Sequence, residues 1–364
     1  MARILGLKKI DTYIIGKFLG TFFYSIMLLT VIIIIFDISE KIDDFIDKKA
    51  PLSAIIFQYY LNFIPFFVNT FSSLFTFISV VFFTSKMAGN TEIIAILSGG
   101  INFWRMLRPY LISALLISVM SFGLMNYIIP HTNKGLRNFE KAYIHKPYQI
   151  RDMNIHMQLR PDTTIYVENF NNASQIGYRF TLEAFDSTGL RMKMVADLIR
   201  WDTAKQKWNV SNYYTRKIYN NREVIRQGKS LDTTFAFTPD DFVLDIEDAK
   251  VMTFGELNDF IKRERQRGSS VVKQFDLEKY KRITFPFANL ILTFIAVALS
   301  SRKVRGGIGL HLGLGIALAF TFILMLQVTS VFAVFGNLQP SIALWIPNVL
   351  YGIVAFWLLA KAPK

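Results

Sequence analysis

The feature that most constrains this chain is a set of long runs without a charged residue. One run covers residues 50–85 and another covers residues 306–360, and neither contains Asp, Glu, Lys or Arg. A helix of ~20 uncharged residues crosses the ~30 Å hydrocarbon core of a bilayer. Runs of this length are typical of membrane spans, and a composition that is 52% apolar and 15% aromatic points the same way.

Turn and breaker residues divide the apolar runs into six predicted spans. These cover residues 18–36, 63–84, 109–130 and 283–301, with two more inside 306–360 on either side of the turn 336–340. Pro65 is expected to bend the second span. Residues 37–49 combine charges with apolar residues at helical spacing, which predicts an amphipathic segment on the membrane surface.

Residues 131–270 lack a long apolar run and alternate apolar with polar side chains. This period of two is typical of strands, and Asp186-Ser-Thr-Gly189 has the composition of a hairpin turn. Seven or more strands predict an all-β domain, as a sandwich, a jelly roll or an open barrel. The chain thus divides into spans over 1–130, a β domain over 131–270 and spans over 271–364. The apolar strand face is predicted to carry Ile176, Tyr178, Phe180, Leu182, Met192 and Met194.

One short segment between the second and third spans, residues 90–99, has the composition of a capped helix. Asn90 is predicted as its N-cap, and Glu92 lies in the first turn, where the helix dipole favours negative charge. Gly99 and Gly100 can close its C-terminus. Its apolar side consists of Ile93, Ile94, Ile96 and Leu97. The segment fits a docking helix for a cytoplasmic partner, or a re-entrant or interfacial turn that joins two spans.

The distribution of basic residues predicts how the chain is oriented in the membrane. With a cytoplasmic N-terminus, the short inside segments carry 11 Lys and Arg residues and the short outside segments carry 3. Both termini and the segment 90–99 are therefore expected in the cytoplasm, and the β domain outside it. A cysteine-free outer domain is compatible with a bacterial periplasm.

The residues that carry chemistry in enzymes are sparse. The chain has no cysteine, and its four histidines show no metal-ligand spacing. It contains neither a glycine-rich phosphate loop nor a nucleophile motif. Acidic residues are absent from the middle of every predicted span, which argues against an ion-coupled carrier. We therefore expect a protein that is not an enzyme, binds no metal or cofactor directly, and borrows energy from a partner.

Four stretches carry a resemblance to a known family, and the first two are IDTYIIGKFL (10–19) and NTEIIAILSGGI (90–101). They resemble the start of the first span and the coupling helix of the LptF/LptG (YjgP/YjgQ) family of lipopolysaccharide-export permeases. Glu247–Leu257, followed by YKRITFPF (280–287), is similar to the return into the fourth span. Arg305-Gly-Gly to Gly315 resembles the glycine-rich fifth span. The likeness covers nearly the whole chain, although Leu97 stands where many members have a basic residue.

The resemblance implies an α-helical membrane protein with six transmembrane helices and an inserted periplasmic β domain of jelly-roll type. It implies a subunit of an ATP-driven ABC exporter that extracts lipopolysaccharide from the inner membrane and passes it to a periplasmic β-jellyroll bridge. The implied partners are a cytoplasmic ATPase dimer, a second related permease and a single-span periplasmic β-jellyroll protein, with no nucleic acid. ATP would act through the ATPase, which Glu92 would contact.

Three further sets of residues gain a role through the resemblance. Cations near the outer span ends suit lipid A phosphates, although interfacial anchoring explains each one equally well. They are Lys41, Lys134, Arg137, Lys279, Lys281 and Arg282. Gly16 with Gly20, and Gly309 with Gly313, allow close helix approach, either to the second permease or within one subunit. The apolar strand face is expected to continue the lipid path as an open groove or to be a closed core.

Two other functions fit the sequence. One is an ABC permease for a different lipid or a lipoprotein, and the other is an envelope scaffold that transports nothing.

Overall fold

The computed structural model describes residues 7–144, 153–187, 189–219, 222–242, 246–266, 268–269, 271–301 and 307–362. The chain forms two compact units. The first comprises Met1–His145, Lys250–Phe254 and Asp276–Lys364, and the second comprises Lys146–Ala249 and Gly255–Phe275. The basic segment 302–305 is one of the short inside segments counted for the predicted orientation, and it lies outside the described residues.

Helices dominate the first unit, which we call the membrane unit. Counted over the described residues of both units, and in chain order, the helices are α1 Lys9–Asp47, α2 Leu52–Gly89, α3 Glu92–Ser98, α4 Phe103–Tyr143, α5 Ile246–Val251, α6 Phe254–Gln266, α7 Val272–Ser300, α8 Gly307–Phe335 and α9 Pro340–Ala360. Nearly all of α6 belongs to the second unit. Six of them, α1, α2, α4, α7, α8 and α9, are long and apolar enough to cross a membrane. The predicted class, a six-span helical membrane protein with an inserted β domain, is confirmed.

Two helices are longer than their predicted spans. α1 continues without a break through residues 37–47, so the charged segment is helical and belongs to the first helix, and its location on the membrane surface stays a prediction. Lys41 and Asp37, one turn apart, form an ion pair of 2.6 Å that favours the helical backbone there. At 1.5 Å per residue, α1 is ~58 Å long, about twice the hydrocarbon thickness. α4 likewise extends to Tyr143, past the predicted domain boundary at 131.

Proline residues within α2 and α4 follow wider helical turns. Residues Ile55–Tyr60 of α2 and Leu124–Ile128 of α4 are π-helical, and Pro65 and Pro130 come shortly afterwards. Proline removes one backbone donor and crowds the preceding turn, and proline and π turns are both known causes of bends in long helices. The bend predicted at Pro65 stays a prediction.

The second unit, which we call the β unit, contains one antiparallel sheet. Its strands are β1 Met153–Arg160, β2 Thr163–Asn171, β3 Ile176–Asp186, β4 Gly189–Asp202, β5 Lys207–Tyr219 and β6 Arg222–Thr233. Neighbours in the sheet are neighbours in the chain, so the sheet is a meander. The described residues thus contain six strands, not the seven or more predicted, and not the Greek-key order of a standard jelly roll. The predicted turn between Asp186 and Gly189 is present, since these two residues pair.

The regular ladder of the sheet is interrupted along one line that crosses all six strands. The residues on this line, which we call the irregular row, are Asn154, Glu168, Arg179, Asp197, Asn212 and Lys229. The cross-strand residue pairs directly before and after this row are regular. Asn154, Arg179 and Asn212 have positive φ angles of 60°, 51° and 49°. In alternate strands the backbone therefore departs from β geometry at this row.

The irregular row changes which residues face the core. On β3, Gly177 is buried before the row, and Phe180 and Leu182 are buried after it, so the inward spacing becomes three instead of two. Ile176 and Tyr178 consequently do not share a face with Phe180, and the predicted continuous face on β3 was wrong. Tyr178 is 44% exposed, whereas Phe180 is fully buried.

Candidate functional site

The short helix α3 lies between α2 and α4. Its N-cap is Thr91, which has a left-handed φ of 63° and makes no side-chain cap, so the prediction of Asn90 as the cap was wrong. Asn90 instead ends α2, and its side-chain amide donates to Glu92 Oε1 at 3.3 Å. Gly99 caps the C-terminus, and Gly100 follows at φ 83°, which glycine adopts without steric cost.

The two faces of α3 have different surroundings. Ile93 is 1% exposed, and Ile96 and Leu97 pack half-buried against the core of the membrane unit. These three side chains attach the helix to its own unit and are not presented to a partner. The outward face carries Ile94, which is 54% exposed, together with exposed Ala95 and Ser98. An exposed isoleucine on a tethered helix is a suitable contact for another protein.

Two side chains at the start of α1 hold the segment that contains α3. The buried carboxylate of Asp11 accepts two hydrogen bonds of 2.7 Å from the Arg105 guanidinium of α4. The hydroxyl of Tyr13 donates to Glu92 Oε2 at 3.0 Å. Bidentate charge-assisted pairs are among the stronger polar contacts in proteins. We call these two contacts the α1 clamp, because they fix α1 to both α3 and α4.

The α1 clamp was missed in the sequence, although the stretch that contains Asp11 and Tyr13 was recognised as family-like. Arg105 was counted only as a positive charge on the inside. Asp11 and Arg105 are 94 positions apart, so their pairing depends on tertiary structure and leaves no local pattern. An acidic residue and a tyrosine at the start of a span were the available signal.

The far ends of α1, α2 and α4 meet in an aromatic cluster that includes Phe45, Tyr59 and Phe139. Lys41, one of the predicted lipid-headgroup residues, is engaged there. It pairs with Asp37, contacts the Tyr59 hydroxyl and lies 4.8 Å from the Tyr59 ring centre. Lys41 therefore fastens α1 to α2, and only 22% of its side chain is exposed.

The remaining predicted headgroup cations differ in accessibility. Arg282 is 1% exposed and donates to the Met252 carbonyl at 2.9 Å, so it holds a backbone turn and does not reach a lipid phosphate. Lys134 is exposed, whereas Arg137, Lys279 and Lys281 are half-buried. The structure therefore does not bring the six predicted cations together as one exposed patch.

The predicted packing glycines do not contact other helices within the described part of the chain. A Cβ built on Gly16, Gly20, Gly309 or Gly313 would meet nothing within 4 Å. Gly315, two residues beyond the second pair, is different, because a Cβ there would lie 2.3 Å from the ring of Phe77 on α2. Close approach of α8 to α2 therefore depends on Gly315, and the four predicted glycines lie on open surface.

The inner face of the β unit is closed by the chain itself. Phe180, Leu182 and Met194 are buried there, with Met192 half-buried beside them. The segment after β6 places Phe235 and Phe237 over this face. Trp208 Nε1 donates to the Phe237 carbonyl at 2.9 Å and fixes that cover.

Six membrane-length helices, a short clamped helix between two of them and an inserted sheet define a multi-pass membrane protein. The chain matches the family model described as "Lipopolysaccharide export system permease LptF/LptG" over residues 12–361. It belongs to the LptF/LptG family, which confirms the resemblance, and it is a multi-pass inner-membrane permease of lipopolysaccharide export. None of the curated proteins compared with the chain matches it significantly.

Proposed function

We propose that this chain is one of two related permease subunits of an ATP-driven ABC exporter. In this proposal the complex extracts lipopolysaccharide from the inner membrane and delivers it to a periplasmic β-jellyroll bridge. Both termini and α3 lie in the cytoplasm, and the β unit lies in the periplasm. The partners are a cytoplasmic ATPase dimer, a second permease and a single-span β-jellyroll protein.

The observation that carries the proposal is the combination of the α1 clamp with the outward face of α3. A helix that touched a moving partner could transmit force only if it were fixed to the spans. Asp11 and Tyr13 supply that fixation through Arg105 and Glu92. Displacement of α3 would therefore move α1 and α4 together. Ile94 supplies an exposed contact.

The proposal is tested by separating the outward face of α3 from the α1 clamp. We expect Ile94→Glu to abolish co-purification with the ATPase, because it places a charge in an apolar contact. Tyr13→Phe is the matched control, because it removes one hydrogen bond without altering the outward face, so the complex should persist. Glu92→Lys changes both, because Glu92 lies next to that face and accepts the Tyr13 hydrogen bond of the α1 clamp, and it should also release the ATPase.

Retention of the ATPase by the Ile94→Glu protein, with normal stoichiometry, would contradict the proposed docking face. A chain that never co-purifies with an ATPase would favour a scaffold that transports nothing. Mass spectrometry of the lipid bound to the wild-type complex addresses the substrate. A different lipid or a lipoprotein would redirect the proposal to another ABC permease substrate.

Two surfaces support the transport part of the proposal. The open surface around Gly16, Gly20, Gly309 and Gly313 permits close approach of a second permease to α1 and α8. In the β unit, a lipid tail could follow the inner face beside Phe180, Leu182, Met192 and Met194. It would have to replace the contacts that Phe235 and Phe237 now make.

A further inference from the structure

The outer face of the sheet, opposite the apolar core, contains a cavity of about 500 Å³. Two neighbouring cross-strand rows on β1 to β4 form its floor, and Gly268 from the loop after α6 lies at its side. One row contains His156, Tyr166 and Thr181, and the other contains Gln158, Thr164, Glu183 and Lys193. Its volume is within the ~300–1,000 Å³ range of small-molecule sites.

Aromatic rings form one end of this cavity. The rings of His156 and Tyr166 lie 4.7 Å apart, centre to centre, at 41°. The Tyr166 hydroxyl donates to Asn154 Oδ1 at 2.8 Å, which fixes the orientation of the ring. A fixed ring presents a flat apolar surface beside polar groups, the mixed character that suits a ligand with both C–H and O–H faces.

The other end supplies hydrogen-bonding groups without net charge. Lys193 Nζ and Glu183 Oε1 form an ion pair of 2.8 Å, and both side chains are about one-third exposed. They therefore offer donors and an acceptor together while cancelling each other's charge. The hydroxyls of Thr164 and Thr181 can each donate and accept. The apolar lining residues Met157 and Ile165 are buried toward the opposite face, so among the described lining residues the aromatic rings provide most of the apolar surface.

We propose that this cavity binds a saccharide. A neutral, polyhydroxylated ring matches the aromatic surface, the paired donors and acceptors and the balanced charge. An anionic ligand would instead have to compete with Glu183 for Lys193. This inference rests on the proposed function, which identifies the sugar as the oligosaccharide of the exported lipopolysaccharide. A free glycan would have the same chemistry.

The position of the cavity suits an amphiphile. His156 and Gln158 belong to β1, which is an edge strand of the sheet. The apolar face and the sugar cavity are therefore separated by the thickness of one sheet at that edge. One molecule can reach around β1, with its sugars on the polar face and its tails on the apolar one.

The test uses the purified full-length chain and delipidated lipopolysaccharide oligosaccharide as the probe. Thr181→Trp fills the cavity from its floor and should weaken binding at least tenfold in saturation-transfer NMR titrations. Gln227→Trp is the matched control. It introduces tryptophan on the same cross-strand row, but at an exposed position of β6 outside the cavity. This variant should bind the oligosaccharide as tightly as the wild type does. Circular dichroism melts verify that both variants fold.

A second variant and a second ligand allow the saccharide site to be tested separately from the proposed function. Glu183→Gln preserves shape but removes the ion pair, and it should weaken oligosaccharide binding severalfold. Binding of lipid A, which lacks that oligosaccharide, should be unchanged in Thr181→Trp. If intact lipopolysaccharide gains no affinity over lipid A while the free oligosaccharide binds, the sugar source is a free glycan.

Three outcomes would overturn the saccharide site. One is absence of oligosaccharide binding to the wild type, and another is equal binding by the Thr181→Trp and Gln227→Trp proteins. The third is a photo-crosslinker at position 181 that captures a protein and no glycan, which would identify a protein contact instead. None of these results bears on ATPase co-purification, so the proposed function is tested independently of the saccharide site.

Discussion

The interiors of the two units differ in how many polar side chains they bury among their apolar ones. In the membrane unit, buried positions between helices include Asn69, Thr76, Ser121 and Asn289. Some of these join helices directly, as when Ser121 Oγ donates to Asn69 Oδ1 at 2.6 Å. In the β unit, the inner face of the sheet consists of apolar and aromatic side chains such as Phe180, Trp208 and Val210, all of them fully buried.

The outer surfaces of the two units also differ in polarity. α8 exposes Phe320, Phe332 and Phe335, whereas β6 exposes Arg222, Glu223 and Lys229. In lipid there is no hydrophobic force between apolar helices, so close packing and polar contacts hold them together. In water, burial of apolar surface is the main stabilising contribution. The difference therefore shows which solvent each unit is built for, and it predicts which substitutions each will tolerate.

The largest effect is expected in the β unit, on removal of an aromatic core residue. Trp208 is fully buried, lies 5.2 Å from the Phe237 ring centre and donates to the Phe237 carbonyl. Trp208→Ala should lower the free energy of unfolding of this unit by ~3–5 kcal/mol. Hydrogen exchange of β3 to β5 amides should then accelerate by roughly a hundredfold or more.

Tyr214→Ala is the control for this experiment. Tyr214 lies on the same strand, is 43% exposed and faces away from the core. Its replacement should change the free energy of unfolding by about 0.5 kcal/mol or less. Similar losses for the two variants would show that the β unit does not depend on an apolar core.

The architecture was predictable because its signals are local. Uninterrupted apolar length identified the spans, and a period of two identified β1, β3, β4 and β5. The period is weaker in β2 and β6, because β6 is an exposed edge strand with little apolar alternation and the burial spacing of β2 shifts at the irregular row. Asn154 and Asn212 were the available signal for that row, because asparagine tolerates a left-handed backbone better than most residues.

The candidate site was less predictable, for a physical reason. α3 has isoleucines on both faces, so the sequence alone could not decide that Ile93 packs inward and Ile94 outward. The pairing of Asp11 with Arg105 needs two helices already in place. Lys41 and Arg282 look like free cations in sequence, and only the structure shows that both are engaged by their own chain.

A moderate effect is expected where the membrane unit depends on close packing. Gly315→Ala places a Cβ 2.3 Å from the Phe77 ring, and Phe77 is fully buried. We expect a loss of ~1–3 kcal/mol, because the helices must separate or the ring must move. Unfolding in mixed detergent micelles measures the loss.

Gly313→Ala supplies the comparison on the same helix. A Cβ at Gly313 meets nothing within 4 Å, so stability should stay the same or rise slightly with helix propensity. Equal destabilisation by both variants would mean that α8 responds to glycine replacement as such, and not to its contact with α2.

The smallest effect tests whether polar groups hold the membrane unit together. Ser121→Ala removes the bond that joins α4 to Asn69 on α2 and should cost ~0.6 kcal/mol, the average for such contacts in a membrane protein. Ser113 is the matched control, since it is equally buried on α4 but bonds only to the Pro109 carbonyl of its own helix. Ser113→Ala should therefore be close to neutral in the same micelle assay. If the two alanine variants are equally stable, polar contacts do not distinguish the interior of this unit from that of the sheet, and shape alone holds α2 and α4 together.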